Sequence, residues 1–132
     1  ELKNALIYMN IQMNAPKSTK IHGDINSLVQ VINNMISNAI QAYNGRTEEE
    51  INLDFNMDDN NNLIISIEDH ADGLPQKVKD KLFKEMITTK GKNGTGLGLY
   101  MSYSTIKAHF NGNITFESEK GKGTKFNIIL PL

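Results

Sequence analysis

Three sets of residues have types and spacing that could do chemistry. Asn34 and Asn38 stand four apart, so on a helix their amides leave the same side. Asparagine is a mediocre helix former because its amide competes for backbone hydrogen bonds. Two of them beside an apolar stripe either bond a neighbouring segment or offer neutral oxygen ligands, which suit Mg²⁺ next to phosphates. The second set is Glu68-Asp69-His70-Ala71-Asp72-Gly73-Leu74-Pro75, directly after an apolar run. A carboxylate there can accept from an exocyclic amine on the floor of a pocket, or simply close an Asx turn. The third is Gly94-Thr95-Gly96-Leu97-Gly98-Leu99, with Lys90 and Lys92 upstream. Glycines ahead of a helix let backbone N–H groups face an anion, where the helix dipole adds to their pull. The same glycines can also serve flexibility alone. No Gly-Lys-Ser/Thr occurs, which excludes a P-loop, and the loop's place in the element order excludes a dinucleotide fold.

The elements that must position these groups follow from periodicity. Ile7, Met9, Ile11 and Met13 alternate with polar residues and predict a half-buried strand. Thr19–His22 reads as a second small strand. Leu28, Val31, Ile32, Met35, Ile36, Ala39, Ile40 and Tyr43 form an apolar stripe at helical spacing, with Asp24 or Ser27 as N-cap and Gly45 at the end. The run Glu48–Glu50 reads as a solvated loop. Ile51–Phe55 and Leu63–Ile67 flank a polar turn and predict a β-hairpin. A short helix is expected around Val78–Phe83, a mobile glycine-rich loop over Thr88–Gly98, and a helix over Leu99–Phe110. Ile114–Glu117 and Thr124–Leu130 make a terminal hairpin. The sum is an α+β fold, a two-layer α/β sandwich with helices packed on one face of a mixed, mainly antiparallel sheet.

Composition narrows the chemistry. The 132 residues are 39% hydrophobic and 22% charged, enough for one core and too few for two domains. Fourteen basic residues against fifteen acidic give a net charge of −1, which argues against nucleic-acid binding. With no cysteine, disulfides, thiolate metal sites and cysteine nucleophiles are excluded. No apolar run reaches the ~20 residues of a membrane helix. The chain reads as a single domain, 1–132, excised from something longer, with residues 1–5 the remnant of a preceding element.

In this order the three sets are far more specific than any one alone. Asn34/Asn38, Asp69-x-Ala71-x-Gly73, Phe83 with Thr88-Thr89-Lys90, and Gly94-x-Gly96-x-Gly98 resemble the N, G1, F and G2 boxes of the sensor histidine kinase ATP-binding domain, of the gyrase/Hsp90/histidine kinase/MutL superfamily. The ending Gly121-Lys122-Gly123-Thr124…Leu130-Pro131 is similar to that family's closing hairpin. The resemblance implies a Bergerat-type ATP-binding fold with an ATP lid at about 84–95. It implies Asn38 on Mg²⁺, Asn34 near the phosphates, and Asp69 on the adenine amino group. It also implies Ala71 and Gly73 close to the ring, Phe83 as lid anchor and Lys90 and Lys92 near the terminal phosphates. Gly94, Thr95, Gly96, Leu97, Gly98 and Leu99 would form the phosphate loop and helix start, and Thr124 would reach the base edge.

The function so implied is the donation of the ATP γ-phosphate to a histidine on a separate dimerisation and phosphoacceptor domain, with a response regulator downstream. The domain alone would be monomeric, without nucleic-acid or membrane contact, and cytoplasmic; its parent would be a homodimer, anchored in a membrane or not. Two departures stand out: Gln41 replaces a basic residue common in the family, and Ala71 replaces a glycine. Both shift the phosphate grip towards the lid lysines. None of His22, His70 and His109 is followed by Glu or Asp, so the acceptor is expected outside this chain, just before Glu1. An anti-sigma-type serine kinase and a non-catalytic ATP sensor of the same fold are the alternatives.

Overall fold

The computed structural model describes residues 6–82 and 96–132, with the backbone alone for 96–98. Phe83, Lys90, Lys92, Gly94, Thr95 and the expected lid lie outside the described residues. The chain runs β1 (Ile7–Met13), α1 (Ile25–Ala42), β2 (Glu49–Met57), β3 (Asn62–Asp69), α2 (Gln76–Lys81), α3 (Gly96–Phe110), β4 (Asn113–Glu119) and β5 (Gly123–Pro131). The strands form one sheet in the order β1-β2-β3-β5-β4. β1 and β2 are parallel, joined across α1, and every other pair is antiparallel. This is the expected mixed, mainly antiparallel sheet with helices on one face.

Alternation decides which side of each strand meets the helices. Ile51 and Leu53 of β2, Leu63, Ile65 and Ile67 of β3, and Phe126, Ile128 and Leu130 of β5 are buried on one face. Against them α1 sets Leu28, Val31, Met35, Ala39 and Tyr43, while α3 sets Leu99, Ile106 and Phe110. Each buried Val, Leu, Ile, Phe or Met among them contributes about 1.5–3 kcal/mol by leaving water. The central strand β3 ends at Asp69, and its partner in register on β5 is Thr124. That register brings the end of one chemical motif beside the start of the closing hairpin.

Asp24 is the N-cap of α1: its Oδ1 accepts from Asn26 N at 3.1 Å, and its Oδ2 from Ser27 Oγ at 2.9 Å. Several expectations are corrected. Thr19–His22 is not a strand, because no neighbouring strand pairs with it. β1 forms as expected, but Met9, Ile11 and Met13 are 38–60% exposed, since β1 is the sheet edge and helices cover the strands beyond it. The apolar stripe of α1 is narrower than its sequence suggests, with Ile40 exposed at its border. Glu49 and Glu50 belong to β2 rather than to a loop. α2 covers 76–81 instead of 78–83, and α3 begins at Gly96, so Gly96–Gly98 form its first turn and are not loop.

Candidate functional site

The second half of α1, the loop after β3, the start of β5 and the first turns of α3 enclose a cavity of about 320 Å³. Asn38, Gln41 and Ala42 line it from α1, Asp72–Pro75 from the loop, Leu99 from α3, and Thr124 and Phe126 from β5. The Nδ2 of Asn38 is buried and has no hydrogen-bond partner among the described residues. An unmade bond of this kind costs about 1–3 kcal/mol, so a fold that retains it has a reason outside its own contacts. Half a turn about χ2 exchanges the amide nitrogen and oxygen, so the group can donate to an oxygen or ligate a cation. Among the described residues no three His, Asp or Glu converge to hold a metal unaided. The neutral Asn38 amide is compatible with a hard cation such as Mg²⁺ and would supply it one protein oxygen.

Asp69 is 4% exposed. Its Oδ1 accepts from Ala71 N at 3.0 Å and from Thr124 N at 3.2 Å. Its Oδ2 takes no bond among the described residues. Burial pushes the carboxyl above its ordinary value of 3.8, against the opposing pull of the two backbone N–H groups. Half of this carboxylate therefore closes the turn, and the other half is open to a donor. Of the two readings of the sequence, the Asx turn is made by Oδ1, through its bond from Ala71 N.

Ser118 of β4 ties the loop to the sheet. Its Oγ accepts from Leu74 N at 2.8 Å, donates to Gly123 O at 3.2 Å, and lies 2.9 Å from Thr124 Oγ1. Because the serine has one proton, the threonine donates in the last pair, which leaves acceptor lone pairs on Thr124 facing the cavity. Gly121 N donates to Asp72 O at 2.8 Å, and Lys79 Nζ to Ser118 O at 3.1 Å. Gly73 has φ +82°, and a Cβ there would stand 2.5 Å from Glu119 O. The glycine is thus required by the β4–β5 turn behind it, a reason separate from any approach of a ring in front.

The structure brings Asn38, Gly73, Leu99 and Thr124 to one cavity, with Asp69 and Ala71 buried next to them. Gly96, Leu97 and Gly98 are in the first turn of α3, whose N–H groups have no carbonyl of their own helix to bond. Asn34 is apart. It lines a separate cavity of about 100 Å³ between α1 and α3 and donates through Nδ2 to Ser102 Oγ at 3.3 Å. His70 is exposed and pairs with Asn52 on β2 at 3.1 Å. Tyr43, Ser102 and Ser118 were not marked by the sequence as parts of the site. Periodicity registers Tyr43 as apolar, and nothing local shows what its hydroxyl meets.

Residues 23–132 match the family model described as histidine kinase-, DNA gyrase B- and HSP90-like ATPase. The chain is 36% identical over 114 residues to sporulation kinase A of Bacillus subtilis (strain 168), covering 86% of this chain and 18% of that protein. It therefore spans about a fifth of the length of this relative. Its fold is similar to the nucleotide-free catalytic domain of histidine kinase ThkA, with TM-score 0.80 and 24% identity over 98% of this chain and 82% of that one. It is also similar to full-length ShkA in complex with AMPPNP, with TM-score 0.77 and 23% identity over 95% of this chain and 25% of that one. No helix among the described residues is long and apolar enough to cross a membrane. With residues 23–132 of the 132 matched, the chain belongs to the histidine kinase-, DNA gyrase B- and HSP90-like ATPase family.

Proposed function

We propose that this chain is the ATP-binding catalytic domain of a two-component sensor histidine kinase. It takes Mg-ATP in the cavity beside α1 and presents the γ-phosphate to a histidine on a separate dimerisation and phosphoacceptor domain, from which a response regulator receives it. The observation that carries this reading is the pairing of two unfinished groups, the Asn38 Nδ2 with no partner among the described residues and the buried Asp69 carboxylate with one oxygen unbonded among them. The kinase relative and the AMPPNP-bound structural neighbour support it.

In this reading Asp69 Oδ2 accepts from the adenine 6-amino group and Thr124 offers its hydroxyl lone pairs to the base edge. The first-turn N–H groups of α3 take phosphate oxygens. Asn38 would be the protein ligand of Mg²⁺, which when bound supplies charge neutralisation to the phosphates and a fixed orientation for transfer. Lys90 and Lys92 are assigned to the terminal phosphates, and Phe83 to the lid, on motif position. Asn34, whose Nδ2 is bonded to Ser102 of α3, is assigned to the neighbourhood of the phosphates on motif position.

Calorimetric titration of the chain with ATP, with and without Mg²⁺, tests the reading. Binding is expected to need the ion, and Asn38→Asp, which places a charge beside phosphate, is expected to abolish productive Mg-ATP binding. With the phosphoacceptor domain supplied, the product should be labile to acid and stable to base, as a phosphohistidine is. Ion-independent binding, or retained transfer in Asn38→Asp, would overturn it.

A further inference from the structure

The hydroxyl of Tyr43 occupies an unusual place in the sheet. β2 and β3 are antiparallel, and the last pair of their ladder at this end is Ile51 with Asp69. The next pair in that register would be Glu50 with His70. Instead the Tyr43 hydroxyl accepts from His70 N at 2.7 Å and donates to Glu50 O. One O–H group thus replaces a direct N–H···O=C bond between the strands, as a wedge in the ladder one residue beyond Asp69.

Tyr43 itself is fixed. It is 1% exposed, sits at the C-cap of α1, and carries the Arg46 guanidinium 5.5 Å above its ring. Arg46 in turn donates through Nε to Tyr43 O at 3.1 Å and pairs with Asp72 at 3.6 Å. Beyond the shared core, the helix that carries Asn38 therefore reaches the strand end that carries Asp69 through the Tyr43 hydroxyl. Without the wedge, β2 and β3 could zip one pair further, drawing His70 into the sheet. The backbone leaving Asp69 would then change direction, along with the N–H of Ala71 that fixes the carboxylate.

We infer that Tyr43 is a positioning residue for base recognition, its hydroxyl ending the β2–β3 ladder so that the free oxygen of Asp69 points at the purine 6-position. This rests on the reading of Asp69 as the base-reading group. The test compares affinity for ATP with affinity for purine riboside triphosphate, which lacks the 6-amino group, in wild type, Asp69→Asn, Tyr43→Phe and His70→Pro. Tyr43→Phe removes the hydroxyl and keeps the ring, whereas His70→Pro removes the N–H on the other side of the bridge and leaves the core intact.

A charge-assisted bond to the amino group makes wild type favour ATP by about tenfold or more. That preference should vanish in Asp69→Asn and fall about threefold or more in each bridge variant, with the double variant no worse than either single one. A purely structural tyrosine would lower the melting temperature and leave the ratio unchanged. If Asp69→Asn loses the preference while both bridge variants keep it, the role given to Tyr43 is wrong and base reading by Asp69 stands. If Asp69→Asn keeps the preference, base reading by Asp69 is itself wrong.

Discussion

Gly73 and Gly121 provide a matched pair for asking what holds the loop of the site. Both have φ +82°, but a Cβ on Gly121 would meet nothing within 4 Å, whereas one on Gly73 would meet the backbone at Glu119 O and C. Alanine at either position bears the left-handed cost of about 1–2 kcal/mol, and both gain similarly from a stiffer unfolded chain. Only at Gly73 must the loop also retreat from the β4–β5 turn. That retreat strains the bonds Leu74 N to Ser118 Oγ and Gly121 N to Asp72 O, worth about 1 kcal/mol each. Gly73→Ala should therefore cost about 3–4 kcal/mol and Gly121→Ala about 1–2.

For 132 residues the unfolding entropy is about 0.28 kcal/mol per kelvin, so the melting temperatures should fall by about 11–14 °C and 4–7 °C respectively. Circular dichroism melts measure the difference, and calorimetry with ATP follows binding in the same two proteins. Equal shifts in the two variants would refute the close approach as the reason for Gly73. Lost ATP binding with equal shifts would show that the glycine clears space for the ligand instead.

Asp69→Asn should raise stability at neutral pH while weakening ATP to the affinity of the triphosphate that lacks the 6-amino group. Burial favours the protonated native carboxyl, so the stability it lends is fully present below 3.8 and is lost as pH rises through the higher native value. The neutral variant escapes that loss and still accepts from Ala71 and Thr124. Its advantage over wild type, read from melts between pH 4 and 8, should shrink as pH falls, and the opposite trend would refute the assignment. Asn34→Ala and Ser102→Ala should each cost about 1 kcal/mol and be strongly non-additive, because they remove the same bond. Additive costs together with a large loss of ATP affinity in Asn34→Ala alone would place Asn34 on the nucleotide instead.

Much of the fold was legible because its elements are amphipathic with one buried face. The alternation of Leu63, Ile65 and Ile67, and the spacing of Leu28, Val31, Met35 and Ala39, report burial directly. Where burial depends on what lies beyond an element, the pattern misleads. Met9, Ile11 and Met13 alternate as cleanly as a covered strand, yet no helix among the described residues buries them, because strand order is not written in local periodicity. The start of α3 is a similar case. Gly96 and Gly98 lower helix propensity by about 1 kcal/mol each, but glycine is sterically free to be helical. Leu99 and Ser102, buried one turn later, belong to the same helix.

The candidate site was legible as residue types and not as partners. Asn34 and Asn38 look equivalent in sequence, being the same amide on the same side of one helix. Helix α3 separates them, since Ser102 bonds the first, and no described residue bonds the Nδ2 of the second. The two amides differ here by the absence of a bond, and absences depend on three-dimensional neighbours. Tyr43 makes the converse point: a residue that periodicity counts as core carries a hydroxyl bound on both sides, to the backbones of two strands. The chemistry of the site is set by which polar atoms the fold satisfies and which it leaves open. Asp69 shows both outcomes within a single carboxylate, with one oxygen bonded to two backbone N–H groups and the other bonded to none of the described residues.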